Sequence, residues 1–123
     1  MGVMGSFEKF FVNRANRSTS QQAFNAIREQ LHLSKDSSTL ELGAERGAFP
    51  LLVFQEYSPR SVTVTDYDAS QLESAKEYFI ENLKQLPPTV DFRTANALDL
   101  PFDDGSFDAI FAFMVLHNLG SRE

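Results

Sequence analysis

Apolar positions along the chain switch repeatedly between a helical and a strand period, and that switching predicts the elements. In "STSQQAFNAIREQLHL", Ala23, Phe24, Ile27 and Leu31 fall on one helical face, with a Ser/Thr cluster and Gln21 or Gln22 placed to cap the start. "DSSTLELG" then reads as a first strand, and "AFPLLVFQEY" as a helix beginning near Phe49, with Pro50 tolerated in its first turn. "SVTVTD", rich in β-branched residues, is a second strand. In "DASQLESAKEYFIENLKQL", Leu72, Ala75, Phe79, Leu83 and Leu86 recur at helical spacing; Ser70 and Glu73 stand in the capping-box relation, with Asp68 the alternative cap. Pro87 and Pro88 are expected to end that helix, "VDFRTANAL" is a third strand, "PFDDGS" a turn, and "FDAIFAFMVL" a nearly continuous apolar fourth strand of the kind buried on both faces.

Strands that alternate with helices pair in parallel through right-handed crossovers. The expected fold is therefore α/β: a Rossmann-like open parallel sheet with flanking helices. Residues 1–38 are expected to form an N-terminal helical segment and residues 39–123 the core, as a single domain. Ligands of such sheets bind beyond the carboxyl ends of the strands, where strand order reverses.

Composition narrows the function. Seventeen acidic against eleven basic residues give a net charge of -6, which repels a nucleic-acid backbone. There is no cysteine, so disulfides and thiolate metal sites are excluded and a cytoplasmic setting is expected. The N-terminus lacks the cationic leader of a signal peptide and no apolar run is long enough to span a bilayer, so a soluble protein is expected, with no membrane partner.

The candidate chemistry lies in "LELGAERGAF". Gly43 closes the first strand and Gly47 opens the turn into the next helix, positions where a missing Cβ permits positive φ and close approach of a ligand to the backbone. The same pair also suits a tight strand-to-helix turn with no ligand. Asp66 ends the second strand some twenty residues on, where a carboxylate can accept both hydroxyls of a ribose. A solvated cap is its other reading. A nicotinamide dinucleotide would need the full G-x-G-x-x-G loop for its pyrophosphate. Here the loop is G-A-E-R-G, and Glu41 and Glu45 disfavour a dianionic ligand while suiting one with cationic groups, such as the ammonium and sulfonium of S-adenosylmethionine.

"LELGAERGAF", "VTVTDYDASQL" and "ANALDLPFDDGSFDAIFAFMVLHNL" resemble, in order and spacing, the successive motifs of class I S-adenosylmethionine-dependent methyltransferases. The resemblance covers about residues 39 to 120. It implies that Glu41, Gly43, Ala44 and Gly47 surround the methionyl part of the cofactor, that Asp66 holds the ribose hydroxyls and that Tyr67 lies against the adenine. Asn96 takes the position of an aspartate that accepts from the adenine amino group, with Ala97 and Leu98 offering backbone at the ring edge. Phe113 would offer its carbonyl to the methionyl ammonium. Two departures accompany the likeness: Glu45 replaces the middle glycine of the family loop, and the sequence ends after the fourth strand, where the family continues. The implied sheet has about four strands in the order 3-2-1-4 and is incomplete.

That order makes the fourth strand an edge with unpaired backbone and exposed apolar side chains, each forgoing roughly 1.5 to 3 kcal/mol of burial. A fragment of a longer protein, or a homodimer formed along that edge, is the expectation. Among other residues, His117 is a candidate base or a helix cap. Asp103 and Asp104 read as turn chemistry, and no metal is expected. Phe7, Phe10 and Phe11 form either a flap over the cofactor or, preferably, a staple for the first helix; Arg14 and Arg17 are weak candidates for an anionic substrate. The leading expectation is the cofactor-binding part of a methyltransferase acting on a small-molecule substrate, with no catalytic residue assigned. The alternative is a non-catalytic binding or interaction module of the same fold; a nucleotide-dependent oxidoreductase ranks third.

Overall fold

The computed structural model describes residues 8–12, 20–44, 46–96, 99, 101–102 and 105–113, with only the backbone given for 8–12 and 113. In chain order the elements are β1 (Glu8–Val12), α1 (Ser20–Ile27), β2 (Ser38–Leu42), α2 (Ala48–Tyr57), β3 (Ser61–Asp66), α3 (Ala69–Leu83), β4 (Val90–Thr94) and β5 (Ala109–Phe113). The strands form one sheet in the order β1-β5-β2-β3-β4, and every pairing is parallel. The first to fourth strands expected from sequence are β2, β3, β4 and β5, and their order 3-2-1-4 is the one observed.

Register explains how the core is shared. Glu41 pairs with Val64 on one side and Phe111 on the other, so these side chains share a sheet face with Val62, Val90 and Ala109. All three helices pack on that face. Phe24 of α1 meets Phe49 of α2 edge-on at 5.7 Å between ring centroids, and Phe49 meets Phe111 at 5.0 Å. On the β3–β4 side, Phe79 of α3 is fully buried with Val62, Val64, Leu72 and Ala75 and stands edge-on to Phe92 at 5.3 Å. One hand of crossover, repeated in one direction from β2 to β3 to β4, places α2 and α3 on a common face. The return from β4 to β5 reverses direction: Arg93, on the other face, has its guanidinium 5.1 Å from the ring centroid of Phe102. The reversal of strand order therefore falls at β2, between β3 and β5.

Four expectations need correction. The described sheet has five strands, because Glu8–Val12 forms a strand inside the segment expected to be helical. It runs parallel to the whole of β5, from Glu8↔Ala109 to Val12↔Phe113, so the fourth strand of the sequence reading is not an edge and Phe10 and Phe11 belong to a strand. The edge on which a homodimer was expected is occupied by β1. The first helix is also shorter than expected. It stops at Ile27 and passes through a single 3₁₀ turn, Arg28–Gln30, so Leu31 is buried from an extended backbone.

The third helix ends before the prolines, at Leu83, because Lys84 takes a left-handed conformation (φ 76°) and its amide closes on the Ile80 carbonyl. At its start Asp68, rather than the Ser70–Glu73 box, is the cap: its carboxylate accepts from the Ser70 amide at 2.9 Å. The third strand stops at Thr94, although the Ala95 amide still donates to the Asp66 carbonyl at 3.0 Å.

Candidate functional site

The carboxyl ends of β2 and β3 meet at a small rim of backbone and one carboxylate. Gly43 leaves β2 with φ 94°, a conformation that favours glycine, and its amide donates to the Thr65 carbonyl at 2.9 Å. The loop then closes on itself, the Gly47 amide donating to the Ala44 carbonyl at 2.9 Å before α2 begins. Asp66, the last residue of β3, turns toward this loop. The Ala44 amide donates to its Oδ2 at 2.9 Å and the Asp68 amide to its Oδ1 at 3.0 Å. Each carboxylate oxygen has two acceptor directions, so the group retains capacity for two further donors.

Gly47 has the positive φ expected of it, and its packing adds a second constraint. It combines φ 84° with burial against α3, where an added Cβ would stand 3.0 Å from the Ala75 Cα. Its small size brings the start of α2 against α3, and so sets the position of the loop. Glu41 lies lower, inside β2 and 2% exposed, with its carbonyl accepting from the buried Thr65 hydroxyl at 2.8 Å. A carboxylate withdrawn from water requires donors or positive charge around it. Tyr67 follows Asp66 at the rim and is 57% exposed, an unusual exposure for so large a ring.

The structure thus brings together Gly43, Ala44, Asp66 and Tyr67, with Glu41 and Gly47 supporting them from below and behind. Asn96 sits two residues beyond Thr94, the register partner of Asp66, and its carbonyl accepts from the Asp99 amide at 2.9 Å. It is exposed at the β4 end of the same rim. Phe113 ends β5 on the far side of β2, so its backbone is at the same sheet edge. Glu45, Ala97, Leu98, Asp103, Asp104 and His117 lie outside the described residues. The Asp66–Ala44 bond is the feature that sequence reasoning missed. A backbone donor carries no sequence signal, and only the carboxylate was visible.

With this geometry in place, comparison with known proteins is decisive. Residues 40–123 match the family described as "Methyltransferase domain". The chain belongs to the class I S-adenosylmethionine-dependent methyltransferases. It is 30% identical over 94 residues to a demethylmenaquinone methyltransferase of Lactiplantibacillus plantarum, a match covering 76% of this chain and 39% of that protein. Among solved structures, geranyl diphosphate C-methyltransferase from Streptomyces coelicolor, in complex with Mg2+, geranyl diphosphate and S-adenosyl-L-homocysteine, superposes with a TM-score of 0.65 at 24% identity. That match covers 79% of this chain and 36% of the Streptomyces protein. The [4+2]-cyclase SpnF superposes with a TM-score of 0.62 at 26% identity, covering 73% and 33% of the two chains. The chain thus spans about two-fifths of the length of its curated relative. No helix among the described residues is long and apolar enough to cross a membrane.

Proposed function

We propose that this chain is the S-adenosylmethionine-binding part of a methyltransferase that acts on a small-molecule acceptor. The observation that carries the reading is the placement of the Asp66 carboxylate beside the Gly43 turn at the point where strand order reverses. Its two oxygens each hold one backbone amide and keep one acceptor direction, which suits a pair of neighbouring ribose hydroxyls. Gly43 and Ala44 would lie along the methionyl portion, Tyr67 against the adenine ring, and Asn96, Ala97 and Leu98 near its edge. The Phe113 carbonyl would face the ammonium. The Glu41 side chain, buried in β2 just before the loop, would add a polar group on the methionyl side of the pocket.

The bound cofactor supplies an electrophilic methyl group on a positively charged sulfur. The chain's own residues contribute binding, orientation and exclusion of water, which is where most of the protein's share of such catalysis resides. A small-molecule acceptor is supported by the names of the demethylmenaquinone and geranyl diphosphate enzymes, and the net charge of -6 argues against nucleic acid. The absence of cysteine favours the cytoplasm as its setting.

A second reading, a binding module that keeps the fold without methyl transfer, draws on the [4+2]-cyclase that shares it. Calorimetric titration with S-adenosylmethionine and with NAD, on the wild type and on Asp66→Ala, tests the first reading. Binding of S-adenosylmethionine that the substitution weakens supports it, and no binding by the wild type overturns it. Transfer of a labelled methyl group, with cofactor binding established, separates enzyme from module.

A further inference from the structure

Asp66 does more than present free oxygens at the rim. Its Oδ2 fixes the Ala44 amide in the loop that follows β2, while its Oδ1 fixes the amide of Asp68, the residue that caps α3. One side chain thereby ties the Gly43–Gly47 loop to the start of α3, across the seam between β2 and β3. Neither amide belongs to the regular sheet ladder. The Gly43 amide next door instead extends the β2–β3 pairing by one residue, donating to the Thr65 carbonyl. At 2.9 and 3.0 Å the two bonds match the backbone bonds of the loop in length, and they add a side-chain restraint to it.

From this geometry we infer that Asp66 is the positioning residue for the methionyl side of the site as well as the group that meets the ribose, so that one carboxylate couples the two ends of the cofactor pocket. The inference rests on the cofactor reading given above. Removing the carboxylate has two consequences. The ribose hydroxyls lose an acceptor, and the Ala44 amide is released, so the loop must be ordered again when ligand arrives.

A ligand lacking the hydroxyls separates the two. Affinities of S-adenosyl-L-homocysteine and of its 2′,3′-dideoxy analogue are measured by calorimetry on the wild type, Asp66→Ala and Asp66→Asn. Amide hydrogen exchange at Gly43 and Ala44 is followed in the unliganded proteins. The expected result is that Asp66→Ala weakens the dideoxy analogue on the order of tenfold, although that ligand has no hydroxyl for Asp66 to meet. The Ala44 amide should exchange on the order of tenfold faster while the Gly43 amide keeps its wild-type rate. Asp66→Asn, which keeps the shape and one acceptor, should fall between the two; it carries the comparison if Gly43 exchange shows that Asp66→Ala has loosened the sheet. Equal affinity of the dideoxy analogue for wild type and both variants, with unchanged Ala44 exchange, overturns the coupling and leaves the ribose contact standing. A wild type that binds neither ligand overturns the cofactor reading itself.

Discussion

Gly47 and Ala75 meet backbone to backbone: a Cβ on Gly47 would stand 3.0 Å from the Ala75 Cα and 3.1 Å from its Cβ and carbonyl oxygen. Gly47→Ala therefore pays twice, in left-handed strain at φ 84° and in overlap with a helix backbone that cannot swing aside. The expected loss is about 2 to 4 kcal/mol of unfolding free energy, read from urea midpoints. The variant should also weaken cofactor binding, because the loop ends at this contact.

Lys84 presents the opposite case. It caps α3 at φ 76° with a side chain that this conformation disfavours. Lys84→Gly keeps the backbone and removes the strain, so thermal and urea unfolding should show a gain of about 1 kcal/mol. A loss would mean that the lysine side chain makes a compensating contact.

Asp68 gives the fold a pH dependence. The Ser70 hydroxyl, and after it the Ser70 amide, hold its carboxyl below the ordinary carboxylate range. A group whose pKa is depressed by folding stabilises the native state above its unfolded pKa, near 4, and loses that contribution as pH falls through the lower folded value. Asp68→Asn should therefore lower the unfolding midpoint at pH 7 and converge with the wild type in acid. Parallel curves across that range would show that the cap adds no charge-dependent stability.

Thr65→Val tests a buried bond of the seam. The Thr65 hydroxyl donates to the Glu41 carbonyl at 2.8 Å, with both residues 2% exposed. Replacing it by a methyl of equal size should cost about 1 to 2 kcal/mol in urea unfolding and leave the Ala44–Asp66 bond in place. Cofactor affinity is then expected to change less than in Gly47→Ala.

The parts legible in the sequence are those written by local pattern. β-branched residues in "SVTVTD", the alternation around Leu40 and the helical recurrence of Leu72, Ala75 and Phe79 each lie within a few residues, and the structure places β3, β2 and α3 there. Gly43 and Asp66 were readable because conformational freedom and charge are properties of single residues. What was hidden depends on distant partners. "EKFFV" has no clean alternation, and its strand character comes from lying beside β5. Likewise, nothing in "GAERGAF" announces that the Ala44 amide is held by Asp66 or that Gly47 is set by the bulk of Ala75.

The sheet order also sets a schedule. A ribosome delivers β1 first and β5 last of the five, yet these two are neighbours, and β5 also separates β1 from β2. A nascent chain can therefore zip β2, β3 and β4 together as they emerge, while β1 must wait unpaired until the final strand arrives. During that interval the β2 flank is open to any stray strand, so chaperone dependence during synthesis should exceed what the finished molecule's stability suggests.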